Sequence, residues 1–234
     1  MVACYNVEEV IDYITCPALS FLNSNLDNKT YKSIIRGKLR SGLNDIVIHM
    51  LDKNQPRESD IDRVVERIFT DLNAPNVEKD KEEITQHYKN LGNMLINHES
   101  WVTGSAIPIE MAYGGSIIST CIDMTIKNNK TGYITPVIVD FSKTRYEPFY
   151  NPVIYRCQMA ADYLNVHNNN TQVEVFSLAS GKKWKYEHKK YSNILSASLN
   201  ENIRTMNDDR WPVRFGFWCA TCSYRGVCHK LIDY

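Results

Sequence analysis

The chain contains no run of about 18 apolar residues, so nothing in it reads as a membrane-spanning helix. Its opening, MVACYNVEEVIDYI, has no basic stretch leading into an apolar one, and no secretory signal is expected. Neither sign of charge is in excess: 27 Lys and Arg balance 27 Asp and Glu. A neutral total argues against a protein that coats nucleic acid by bulk charge. It leaves a local basic patch open, because binding depends on where charges lie. There is no internal repeat, and no low-complexity tract beyond Asn168–Asn170. The seven cysteines are odd in number and unevenly spaced, at 4, 16, 121, 157, 219, 222 and 228. Without a secretory signal this is a poor disulfide framework, and a reducing, cytoplasmic setting is expected.

What is present is ordinary for a globular chain: 234 residues, 43% hydrophobic and 23% charged, enough for one sizeable domain. The first third reads as helical. Residues 7–25 form a helix interrupted at Cys16-Pro17. A second stretch, 29–51, carries Ile34, Ile35, Leu39, Leu43, Ile46, Val47 and Met50 at helical spacing. Residues 60–72 follow with Ile61, Val64, Val65, Ile68 and Phe69 on one face, then 81–101 with Ile84, Tyr88, Leu91, Leu95 and His98. The pattern then changes to a three-stranded meander over 106–113, 116–126 and 133–141, a helix over 152–165, a hairpin through TQVEVFSLA-SGKK-WKYEH and a helix over 192–206. This is a mixed α/β domain around one sheet, with a helical lobe over 29–101, a sheet core over 104–190 and a cysteine tail over 207–234.

The tail reads WCATCSYRGVCHK, so Cys219 and Cys222 form CxxC and Cys228 follows. Three thiolates need a fourth ligand to close a tetrahedral zinc or a Cys4 cluster. His229 is adjacent to Cys228 and poorly placed to share its metal. Cys16, in YITCPALSF, is the best fourth candidate. Zinc motifs usually come as two ligand pairs, so a split of one and three favours iron–sulphur, with zinc as the alternative. Cys4, Cys121 and Cys157 read as small buried hydrophobes.

Asp123 lies on one predicted strand, in CIDMTI, and Asp140 ends the next, in VIVDFSKT. Carboxylates on adjacent strands can hold one or two divalent cations, Mg2+ or Mn2+. Lys143 is the natural group to position a nucleophile or neutralise developing charge, and Gln158 on the following helix would support the site. Glu110 offers a further carboxylate, and His49 and His98 are lesser candidates. GKKWKYEHKKY, over 181–191, interleaves cations with aromatics. Lys182, Lys183 and Lys185 suit phosphates and Trp184 suits base stacking, while a solvated hairpin is the plainer alternative. Arg210, Arg214 and Arg225 would extend a basic surface.

In this order the features resemble the PD-(D/E)XK nuclease superfamily, in its RecB-like branch with an iron–sulphur clasp, which includes AddB-type helicase-nucleases and CRISPR-adaptation exonucleases. The resemblance spans 7–229, and its specific part is the cysteine pattern. It implies a restriction-endonuclease-like core, with a mixed central sheet flanked by helices. It implies a 4Fe-4S cluster held by Cys16, Cys219, Cys222 and Cys228. It implies a metal site of Asp123 and Asp140 with Lys143, and a glutamine motif of Gln158 with Tyr163. The implied function is a metal-dependent nuclease acting on single-stranded or frayed DNA, within a DNA-processing complex. One departure is plain: the acid and lysine are three residues apart where the family has two, so a bulge after Asp140 or a strand ending at Phe141 is required for both to serve one site. The alternative function is a degenerate nuclease fold that binds DNA or a protein without cutting.

Overall fold

A computed structural model describes residues 3–18, 20, 38–39, 41–48, 58–70, 77–96, 100–141, 153–168, 171–208, 210–211, 219, 222 and 228. Its elements are β1 (Cys4–Asn6), α1 (Val7–Thr15), α2 (Glu58–Phe69), α3 (Val77–Ile96), β2 (Ser100–Tyr113), β3 (Ser116–Asn128), β4 (Ile134–Asp140), α4 (Val153–Asn168), β5 (Val173–Ser177), β6 (Lys182–Tyr186) and α5 (His188–Asn207). Residues 41–48 are also helical. The strand path is β1-β3-β4-β5-β6, with β2 also paired to β3. Parallel and antiparallel pairs are mixed in this sheet, which helices flank. Among the described residues no helix is long and apolar enough to cross a membrane.

The chain divides into two compact units. The smaller comprises 1–30, 109–120 and 189–234. Here β1 runs parallel to the start of β3, Cys4 opposite Ile117. Helix α1 begins where Asn6 Oδ1 accepts the Glu8 N–H at 2.9 Å and the Asn6 N–H donates to the Glu9 carboxylate at 2.8 Å. This reciprocal cap satisfies two otherwise orphaned donors. The helix stops at Cys16, whose backbone is extended because Pro17 disfavours a helical residue before it. Helix α5 buries Leu195, Leu199, Ile203 and Met206, one stripe at helical spacing. The β2–β3 turn is Gly114-Gly115, both at positive φ, and a Cβ on Gly114 would lie 2.7 Å from the Asn200 carbonyl oxygen. Asn200 Oδ1 accepts the Gly114 N–H at 2.6 Å, and Asn207 Nδ2 donates to Ser116 Oγ at 2.9 Å.

The larger unit comprises 31–108 and 121–188. Strand β4 is central to it: antiparallel to β3, with Met124 opposite Val137, and parallel to β5, with Asp140 opposite Ser177. One sheet face, made of Met124, Ile126, Val137, Val139, Phe176 and Leu178, packs on helical residues 41–48, α2 and α3. The other face carries α4.

Several bounds differ from the sequence expectation. The helix expected over 81–101 ends at Ile96, and Ser100 and Trp101 already belong to β2. No Gly or Pro marks that stop, so side-chain spacing alone ran past it. His188, expected in the hairpin, opens α5 instead. Strand β1 was not foreseen. Cys4 is exposed and Cys121 half-buried, so of the three cysteines expected to be buried hydrophobes only Cys157 is fully buried. Lys143, His49, His98, Arg214, Arg225 and His229 lie outside the described residues.

Candidate functional site

Asp123 and Asp140 fall on one face of the larger unit's sheet. Extending the β3–β4 register by one residue sets Asp123 opposite Ile138, and Asp140 is two residues further along the same strand. That face is covered by α4, and both aspartates are buried. A buried carboxylate requires a counter-charge or hydrogen bonds, because leaving water is costly. Asp123 has both. Its Oδ1 accepts from Arg156 Nη2 at 2.9 Å and its Oδ2 accepts the Val139 N–H at 2.6 Å. The Arg156 and Asp123 side chains are each 3% exposed. Arg156 Nη2 also donates to the Cys121 carbonyl at 2.9 Å. The carboxylate of Asp123 therefore serves a backbone donor of β4 just beyond Met124–Val137.

Cys157, the next residue of α4, sits among these charges. Burial first of all pushes its thiol up, Arg156 works against this, and the negative charges of Asp123 and Asp140 add to the rise. Arg156, Asp123 and Asp140 thus all act on Cys157. Arg156 was not singled out in the sequence. It stands two residues before Gln158 in YRCQ, and only the fold shows which carboxylate it meets.

Gln158, also buried, faces another part of α4's surroundings. Its Oε1 accepts from Tyr186 Oη, and its Nε2 donates to Asp162 Oδ1 at 2.7 Å. Asp162 Oδ1 lies 3.0 Å from His188 Nε2. Residues 156 and 158 are about 200° apart around a helix, so Arg156 and Gln158 point to different neighbours. Tyr163 contacts His167, ring centroids 4.3 Å apart.

The hairpin lysines divide by face. Ser177, opposite Asp140, is itself opposite Lys182, while Val175 is opposite Trp184 and Val173 opposite Tyr186. Tyr186 reaches Gln158 of α4, so Lys182 and Trp184 share the carboxylate face. Lys183 and Lys185 lie on the other face, where Lys183 pairs with Glu174 at 3.8 Å. Strand β6 ends the hydrogen-bonded path. Exposed lysines there also hinder edge pairing with another chain, which is their plainer role.

In the smaller unit the N-terminal helix meets the segment after α5. Tyr13 Oη donates to the Arg210 carbonyl at 2.6 Å, and its ring stands edge-on to Trp211 at 5.4 Å. Cys16 is buried at the end of α1, and Cys219, Cys222 and Cys228 are half-buried. Burial pushes the Cys228 thiol up, and the charges of Cys16, Cys222 and Cys219 push in the same direction. In kind the four thiols fit a Cys4 centre. Among the described residues, no three His, Cys, Asp or Glu are close enough to hold an ion as they stand. For the aspartates, two carboxylates fit a hard divalent cation in kind. Arg156 already occupies the Asp123 carboxylate.

No family model and no curated protein matches the sequence. Among solved structures, that of SSO0001 is similar to 84% of this chain and 95% of its own, with a TM-score of 0.42 at 12% identity.

Proposed function

We propose that this chain is a divalent-metal-dependent DNA nuclease, acting on single-stranded or frayed DNA, with a structural iron–sulphur centre on Cys16, Cys219, Cys222 and Cys228. The observation that carries the reading is the placing of Asp123 and Asp140 on one face of adjacent strands, with Lys182 in the same cross-strand row as Asp140. Asp123 and Asp140 would hold Mg2+ or Mn2+, which supplies Lewis acidity towards a phosphoryl oxygen. The sheet and α4 keep water from most of the site, which strengthens charge interactions within it. Lys182 would neutralise a phosphate, and Trp184 would stack on a base of the same strand. Lys143 keeps its proposed part as the lysine that follows Asp140 in sequence, and Gln158 would hold α4 in place through Tyr186 and Asp162.

The cysteine centre has no redox duty in this scheme. It would fasten the cysteine tail to the end of α1, adding to the Tyr13 contacts. A second reading, a fold that binds DNA without cutting, is favoured by one observation: Arg156 already neutralises Asp123.

The test is Mn2+-dependent cleavage of single-stranded DNA by protein purified without oxygen and assayed for iron and sulphide. Cleavage that Asp140→Ala abolishes supports the first reading. Binding without cleavage, from protein carrying its cluster, supports the second. Zinc in place of iron would remove the iron–sulphur assignment and leave the carboxylate site to be judged separately.

A further inference from the structure

We infer that Arg156 is a resident cation that competes with divalent metal for Asp123, so that metal reaches this carboxylate only by displacing the guanidinium. The inference rests on the proposed metal site and adds its regulation.

The argument is one of charge and space. The guanidinium Nη2 donates both to Asp123 Oδ1 and to the Cys121 carbonyl, each at 2.9 Å. The opposite carboxylate oxygen is held by the Val139 N–H. Both of Asp123's oxygens are thus engaged by protein donors. A second cation placed against the same carboxylate would meet a like charge a few ångströms away, in a setting where water screens little. Asp140 is buried on the same face of the sheet. Arginine suits this part because it does not give up its proton, so the competition persists across the physiological pH range.

The carbonyl of Cys121 shows how release would proceed. It gives Arg156 a second acceptor on β3, two residues from Asp123 on the same face, to which the guanidinium can remain bonded while it leaves the carboxylate. A metal ion and Arg156 can then alternate on Asp123 while Nη2 keeps its bond to the Cys121 carbonyl.

Removing the competing charge should tighten metal binding. Arg156→Gln is expected to bind Mn2+ at least about tenfold more tightly than the native chain, read by calorimetry or by the loss of the free-ion paramagnetic resonance signal. Asp123→Asn/Arg156→Gln should lose that gain. Equal affinity in Arg156→Gln and native protein would overturn the inference. Because the readout is metal binding, the nuclease reading is tested apart from it: Arg156→Gln that gains affinity while neither protein cuts DNA supports the inference and defeats catalysis, whereas equal binding with cleavage does the reverse.

Should Arg156→Gln not fold, the native chain supplies the test through the 15N resonance of Arg156 Nε. Mg2+ that binds and shifts this resonance agrees with a resident cation. Mg2+ bound at the aspartates, with the Arg156 signal unmoved, overturns it.

Discussion

At Asp123 one carboxylate answers to two demands. It closes a backbone hydrogen bond of β4, and it balances a guanidinium that is as deeply buried as itself. A buried pair of this kind often contributes little beyond what well-packed apolar residues would, yet breaking it from one side strands a charge. Asp123→Ala should therefore destabilise the larger unit by about 3–5 kcal/mol. Asp123→Leu/Arg156→Met, which removes both charges and keeps volume, should recover most of that loss. Urea midpoints of the three proteins decide it. A double variant as unstable as the single one would mean that the hydrogen bonds to Val139 and Cys121, and not the stranded charge, dominate. Asp123 and Asp140 could be picked out in the sequence because each sits in an apolar strand pattern where a charge is out of place. Arg156 could not, since its partner is 33 residues away and is set by sheet register.

Among the elements, the row that crosses β4, β5 and β6 turns a string of lysines into an ordered surface. Asp140, Ser177 and Lys182 lie side by side, and alternation then assigns Trp184 to the same face and Lys183 and Lys185 to the opposite one. If DNA passes over the carboxylate face, Lys182→Ala should weaken single-stranded DNA binding several-fold and lower its salt dependence by nearly one phosphate contact, about 0.7 in the slope for single strands. Lys183→Ala and Lys185→Ala should do less. Fluorescence anisotropy over a salt series measures this, and equal losses at all three lysines would return the hairpin to its plainer role as a charged edge. The meander, the α4 helix and the hairpin were all legible beforehand, because alternation and the KNNKTG and SGKK turns are local signals. The division of the lysines was not, since it depends on which strand β6 joins and in what register. The end of α3 and the three-residue β1 were missed for the same reason: pairing with β3 decides them, and local propensity is a weak guide when tertiary contacts compete.

For the molecule as a whole, two buried acids tie the stability of the larger unit to pH. Burial pushes the Cys157 thiol well above its ordinary value of 9.0, with Asp123 and Asp140 adding to the rise and Arg156 opposing it. Burial likewise pushes the Tyr88 phenol above its ordinary 10.0, against a smaller opposing pull from Arg67. Tyr88 is held in place by its hydrogen bond to the Leu39 carbonyl at 2.8 Å. Below pH 9 both groups keep their protons in the folded and the unfolded chain, and neither makes stability depend on pH. Above that, the unfolded chain releases the Cys157 proton while the folded one retains it, so stability falls as pH rises. The slope is about 1.4 kcal/mol per pH unit for one such group, and about twice that once Tyr88 joins above pH 10. From pH 9 to 11 this removes about 4 kcal/mol, a large part of a typical total of roughly 5–15 kcal/mol. Chemical denaturation between pH 7.5 and 11, in reductant, should show a plateau and then this two-stage decline. Cys157→Ala should lose the first stage and keep the second, so the comparison is of slopes and is unaffected by whatever the truncation costs at neutral pH. An unchanged slope between pH 9 and 10 in that variant would mean that Cys157 ionises as readily inside the fold as outside it, and that water reaches the ground between Arg156, Asp123 and Asp140.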